Sequence, residues 1–213
     1  MDEKYFYNRK LPHWQPAEEF FFITYRLAGS LPIEVINSLK ENYTYQKSLP
    51  DNQSLEKREE LRQEYFKAFE NELEKNLNEP HWLKNERVAK IVMDSLLFNN
   101  NKHYILWCAC IMSNHAHILL LTIKGSPLLN VILQNHKKFT AVQGNKVLGR
   151  SGPFWAEESY DTIIRNNAHF FRAVNYCIQN PVKAGIVEKW SDWKWTYIHP
   201  ELEKEFRLEN PKS

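Results

Sequence analysis

Cysteine is scarce and odd in number: Cys108, Cys110 and Cys177 are the only three in 213 residues, and no Cys-x-x-Cys spacing occurs. That excludes a disulfide framework and predicts reduced, buried thiols in a cytosolic protein. The spacing of Cys108 and Cys110 also permits a metal site on geometry alone. No stretch approaches ~20 uncharged apolar residues, so no membrane-spanning helix is expected. The opening Met1-Asp2-Glu3-Lys4-Tyr5 lacks the charged-then-apolar pattern of a secretory signal, which predicts a cytoplasmic location. Repeats and low-complexity linkers are missing as well. The length therefore points to one core over residues 1–200, followed by a polar tail, 201–213. An excess of one charge is lacking too: the formal net charge is +2, a weak signal for nucleic acid.

What counts is where the charges lie. Acidic residues concentrate between Glu56 and Glu86 and again in the tail from Glu201. The centre of the chain is locally basic, with Lys124, Lys137, Lys138, Lys146, Arg150, Arg165, Arg172 and Lys183. Phe139, Phe154, Trp155, Tyr160, Trp193 and Trp195 interleave with them, a pattern that suits phosphate contacts and base stacking as well as simple core packing.

Two elements carry chemistry. His115-Ala116-His117 sits in the apolar run from Ile105 to Leu121, which reads as a buried strand. Residues i and i+2 of a strand face the same way, so the two imidazoles project together. They are either a pair of metal ligands or hydrogen-bonded core histidines. About sixty residues on, an amphipathic helix begins at about Ala168 under an Asn166 or Asn167 cap, and Pro181 is expected to limit it. Phe170, Val174 and Cys177 form its apolar stripe. At ~100° per residue, Asn180 sits about 40° from Tyr176, so phenol and amide share one edge beside the buried face. Alone, Tyr176 reads equally as a boundary tyrosine covering a sheet.

The remaining pattern predicts a strand over Phe20–Leu27 and a helix from about Ile33. A strongly charged helix over Ser54–Asn76, with Leu61, Tyr65, Phe69 and Leu73 as a narrow apolar stripe, lies within an insertion of about 41–80. A helix over Arg87–Phe98 leads into a tight hairpin of Tyr104–Met112 and Asn114–Ile123. A further helix runs from Pro127 to about Val142, a glycine-rich loop holds Gly144, Gly149 and Gly152, and Tyr160–Arg165 is the last strand. This alternation predicts an α+β, ferredoxin-like sandwich, an antiparallel sheet with helices packed on one face plus the inserted charged helical region.

His115-Ala116-His117, followed by Tyr176-Cys177-Ile178-Gln179-Asn180-Pro181-Val182-Lys183-Ala184-Gly185, resembles the single-tyrosine HUH transposases, closest to the branch called REP-associated tyrosine transposases. Phe22–Leu27, Gly152-Pro153-Phe154-Trp155, Tyr160–Arg165 and Asp192-Trp193-Lys194-Trp195 agree with it. The resemblance implies that His115, His117 and Asn180 bind a divalent cation, Mg²⁺ or Mn²⁺, and that Tyr176 is the nucleophile. It further implies attack on single-stranded DNA near a hairpin, a 5′-phosphotyrosine link and a free 3′-hydroxyl. A cytoplasmic protein at the nucleoid would then act as monomer or homodimer. Lys137, Lys138, Arg150, Arg165, Arg172 and Lys183 are the candidate DNA contacts, and Tyr160, beside Asp161, is the alternative nucleophile. One departure is Ser113, where the family usually has proline; its loss is expected to loosen the hairpin without removing a ligand.

The chemistry is consistent with those residue types. A phosphodiester is anionic, so cutting it needs charge neutralisation at its non-bridging oxygens, and a phenol of pKa ~10 needs help at neutral pH. The sequence shows no dedicated general base. Two alternatives to a strand transferase stand: a non-cutting hairpin-binding descendant, for DNA or RNA, and a metal-dependent phosphohydrolase that uses water.

Overall fold

The computed structural model describes residues 6–8, 12–14, 18–75 and 80–208, so residues 76–79 of the expected insertion and 209–213 of the expected tail lie outside the described residues. In chain order the elements are β1 (Phe6–Asn8), β2 (Pro12–Trp14), β3 (Phe20–Leu27), α1 (Ile33–Ser48), α2 (Leu55–Lys75), α3 (Glu86–Asn99), β4 (Tyr104–Ile111), β5 (His115–Thr122), α4 (Leu129–Leu148), β6 (Trp155–Ile163), α5 (Asn167–Lys183), β7 (Thr196–Ile198) and α6 (Pro200–Leu208). β1 and β2 pair as a separate ribbon, and the main sheet is five-stranded and antiparallel in the order β6-β3-β5-β4-β7.

The α+β class with an antiparallel sheet holds, but the helices cover both faces of that sheet rather than one. The strand period explains why. Phe21, Ile23, Tyr25 and Leu27 of β3 join Ala116, Ile118 and Leu120 of β5 in a core closed by Val88, Val92 and Leu96 of α3 and Leu129, Ile132 and Leu133 of α4. The alternate residues Phe22 and Leu119, with Cys108 and Cys110 of β4, face the other way onto Val174, Cys177 and Ile178 of α5 and Leu202 and Phe206 of α6. A sheet apolar on both faces needs helices on both. The register of β4 against β5 shifts between Leu106 and Cys108, a bulge that turns Trp107 onto the α5 side, where it packs against Phe20, Phe170 and His199.

Four other expectations are corrected. Gly144 lies inside α4, not in a loop: a Cβ there would sit 2.7 Å from the Phe154 ring, so the glycine admits that ring against the helix. Pro181 does not stop its helix; α5 runs on to Lys183, and Ala184 closes the turn by donating its N–H to the Asn180 carbonyl at 2.9 Å. The tail begins as a helix, α6, whose Leu202 and Phe206 are buried in the α5-side core, and β7 rather than β6 is the last strand. The cysteines are free and buried. Among the described residues no helix is long and apolar enough to cross a membrane.

On the α3–α4 side the buried polar residues include His136. Its Nε2 lies 2.8 Å from the Tyr25 hydroxyl and its Nδ1 2.9 Å from Ser95 Oγ. Burial pushes this imidazole down from 6.5 to about 3. The unfolded chain therefore takes up a proton below pH ~6.5 that the folded chain refuses until about pH 3. Stability is whole above pH ~6.5 and falls as pH drops through that window, by up to about 1.4 kcal/mol per pH unit. Urea denaturation at pH 7 and pH 5 should show a smaller acid loss for His136→Gln than for the wild type; an identical loss would refute this assignment.

Candidate active site

The site forms where β5 passes beneath α5. His115 and His117 occupy the face of β5 opposite the α3–α4 core, and both are buried. Their Nε2 atoms approach to 3.0 Å, and each Nδ1 is tied elsewhere: His115 to Asn114 Oδ1 at 2.7 Å, His117 to Thr24 Oγ1 at 2.8 Å. With Asn114 Oδ1 accepting, His115 must carry its proton on Nδ1, which leaves the Nε2 lone pair pointing into the site. Burial holds both imidazoles neutral, His115 at about 3 and His117 well below its usual value. The turn between β4 and β5 is fastened by Ser113, whose hydroxyl meets His81 Nδ1 at 2.8 Å and whose carbonyl accepts the Leu83 N–H at 3.1 Å. Ser113, which stands where proline was expected, is thus tied by two hydrogen bonds.

From α5, capped by Asn166 through the His169 N–H, come Tyr176 and Asn180 one turn apart. The Tyr176 ring packs edge-on to His117 at 5.4 Å and to Phe22 at 5.8 Å. Asn180 is 1 % exposed, and neither its Oδ1 nor its Nδ2 makes a hydrogen bond, although the amide lies near enough to His115 and Tyr176 to influence both. A buried amide with no partner is costly, so this one is set for a ligand.

The residue missed by the sequence reading is Glu70 of α2. Its carboxylate is 1 % exposed; Oε2 accepts the Tyr176 hydroxyl at 3.0 Å and lies 3.3 Å from His117 Nε2 and 3.9 Å from His115 Nε2. The other oxygen, Oε1, has no partner. Burial raises this carboxyl to about 8, against the opposing pull of the tyrosine hydroxyl. Tyr176 is pushed well above its usual value, first by burial and then by the Glu70 carboxylate. A signal for Glu70 was present: Phe66, Glu70 and Leu73 recur at i, i+4 and i+7, and a carboxylate in the middle of an apolar face asks for a partner.

Ligand atoms of Glu70, His115 and His117 all lie within 4.8 Å of one another. One carboxylate, two neutral imidazoles whose Nε2 atoms face each other and an unpartnered amide fit a divalent cation of the Mn²⁺ or Mg²⁺ kind, imidazole favouring Mn²⁺. A cleft of about 290 Å³, lined by Leu73, Glu74, His81, Asn114, His115 and Trp193 among others, opens toward His115.

Among solved structures, the chain is similar to that of a REP-associated tyrosine transposase bound to a REP hairpin: 14 % identity, 93 % of this chain and 87 % of that chain covered, TM-score 0.56. The fold is that of a tyrosine transposase. No protein-family model matches the sequence, and no curated protein matches it.

On this fold the candidate cations divide into two groups. Arg165, Arg172 and Lys183 lie at or next to α5, on the side of Tyr176. Lys137 and Lys138 belong to α4 on the opposite face, where Lys137 Nζ donates to the Ala156 carbonyl at 3.2 Å and Lys138 is exposed. Arg150 follows α4; it stacks 3.6 Å from the Trp82 ring centroid and donates to the Pro153 carbonyl, so it is largely committed within the fold. Tyr160 faces the α5 side from β6, stacked on Phe66 at 4.1 Å with the Arg62 guanidinium 5.5 Å from its ring, and burial raises it to about 12. It does not join the group around His115 and His117.

Proposed function

We propose that this chain is a cation-dependent endonuclease and strand transferase for single-stranded, hairpin-bearing DNA. The observation that carries the reading is the meeting of Tyr176, His115, His117 and an unpartnered Asn180 amide at one point of a tyrosine-transposase fold. In this reading His115, His117 and Asn180 hold a divalent cation. When bound, the cation would neutralise the non-bridging oxygens of the scissile phosphate. Asn114 and Thr24 fix the imidazoles through Nδ1. The Tyr176 oxygen attacks phosphorus as its proton passes to water. The bond from phosphorus to the 3′-oxygen breaks; that oxygen takes a proton from water and departs as a free 3′-hydroxyl, and the 5′-phosphate remains on tyrosine. The phosphotyrosine conserves the bond energy, so a second 3′-hydroxyl can reverse the step and join strands.

The test is incubation of the wild-type protein with a labelled hairpin oligonucleotide carrying single-stranded flanks, in Mn²⁺ or Mg²⁺, followed by a denaturing gel. A covalent protein–DNA band is expected, and EDTA should abolish it. Cleavage without that band would transfer the activity to water; binding without cleavage would make the chain a non-cutting hairpin binder.

A further inference from the structure

Under that reading, a substrate phosphate must stand against the Tyr176 hydroxyl and the histidine pair at once. That place is taken. Glu70 Oε2 is 3.0 Å from the Tyr176 oxygen and 3.3 Å from His117 Nε2. His115, His117 and Asn180 are between 0 and 2 % exposed while α2 is seated, and the cleft that opens toward His115 has neither Tyr176 nor His117 in its lining.

The rest of α2 repeats the theme. Glu59 pairs with Arg165 at 3.0 Å and Glu74 with Lys183 at 2.9 Å, so two of the candidate DNA contacts beside Tyr176 are already held by carboxylates. Phe66 stacks on Tyr160 and touches the Tyr176 ring, as a base would. Along the helix axis Glu59 and Glu74 are about 22 Å apart, the length of several nucleotides. Anion, ring and anion thus follow one another across α5 and β6.

The seat is held by scattered polar and ring contacts: the Leu73 carbonyl accepts from Asn114 Nδ2 at 3.2 Å, Arg62 donates to the Asp161 carbonyl, and Phe66 packs against the α5-side core. Arg165 and Lys183 side chains are 62 % and 50 % exposed, and ion pairs this exposed contribute little. Only Glu70 and Leu73 of the helix are fully buried. Leu73 packs with Leu31 and Ile36 near α1, in a small cluster separate from the two cores of the sheet. A strand that brings a continuous row of phosphates has more to offer Arg165 and Lys183 than two isolated carboxylates.

We infer that α2 is an internal competitor of the DNA strand: its acidic face fills the strand's own track across α5 and β6, and the strand reaches Tyr176 by displacing it. The inference rests on the strand-transferase reading for the identity of the strand, and its test separates the two. Glu74→Cys and Lys183→Cys would be joined by a short, reducible bis-maleimide; the native cysteines are buried. Fluorescence anisotropy with the hairpin oligonucleotide in EDTA reads binding, and the denaturing gel with Mn²⁺ reads adduct. The locked protein should bind the strand at least about tenfold more weakly than the same protein after reduction, and form no adduct. Independently, Glu59→Gln/Glu74→Gln should bind about three- to tenfold more tightly than the charge-matched pair Glu56→Gln/Glu64→Gln on exposed positions of the same helix. Equal strand binding by locked and reduced protein overturns the inference, whatever the substitutions do. Adduct in equal yield from both overturns it and leaves the transferase standing. Release of binding on reduction with no adduct in either form sustains the inference and removes the transferase.

Discussion

Replacing Tyr176 with phenylalanine should remove the covalent protein–DNA product, a loss of at least about 10³-fold, because among the described residues no other tyrosine packs against the histidine pair. The fold should survive. Phenylalanine keeps the ring contacts to Phe22, Phe66 and His117, and what disappears is the hydrogen bond to Glu70. Loss of that bond costs about 1 kcal/mol, readable as a small drop in the urea midpoint. Tyr160→Phe is the necessary partner experiment. Its ring is held by Phe66 and Arg62, away from the histidine pair, so its adduct yield should stay within a few-fold of wild type. If the adduct vanished in Tyr160→Phe and persisted in Tyr176→Phe, the nucleophile would have to be reassigned to the strand.

The second large effect is expected at His117, whose side chain is fully buried. His117→Ala removes one of the two inward-facing imidazoles, strands the Thr24 hydroxyl, and leaves Glu70 without its nearest nitrogen. Mn²⁺-dependent cleavage should be abolished while hairpin binding stays nearly intact, because binding draws on cations and rings outside this cluster. A thermal melt separates the metal role from simple damage. A ligand at a hundred times its Kd stabilises a folded protein by about 2.7 kcal/mol, so Mn²⁺ should raise the wild-type melting temperature by several degrees and leave the variant's unmoved. The variant will start lower, by about 1–3 kcal/mol for the unsatisfied hydroxyl and the cavity. Cleavage at the wild-type rate would remove the metal assignment.

Legibility followed from how local each determinant is. Strand β3 could be read because its alternation is complete in eight residues, and both faces of that alternation turned out to be used. The shared direction of His115 and His117 is a property of two peptide units, and the nearness of Tyr176 and Asn180 is a property of one helical turn; neither needed the rest of the molecule. Helices on both faces were harder to foresee, since a strand buried on two sides shows no polar face to distinguish it from one buried on a single side. Gly144 misled because its reason is a ring ten residues away, not a turn. Pro181 misled because a proline in a last turn forfeits only one bond, and its neighbours continue the helix. Glu70 was the largest omission. Its partners lie forty-five residues and more along the chain, and a glutamate among lysines and glutamates carries no mark of burial except its place on the wheel.

The histidine-bearing strand sits third of five, hydrogen-bonded on both sides, while β6 and β7 form the borders. A sheet tolerates change at its borders far more readily than at its centre. Substitutions in β6, the nearby loops and the helices around them can therefore be made without disturbing the pair of imidazoles. On the proposed reading, reactivity and target choice would then sit in separately mutable places.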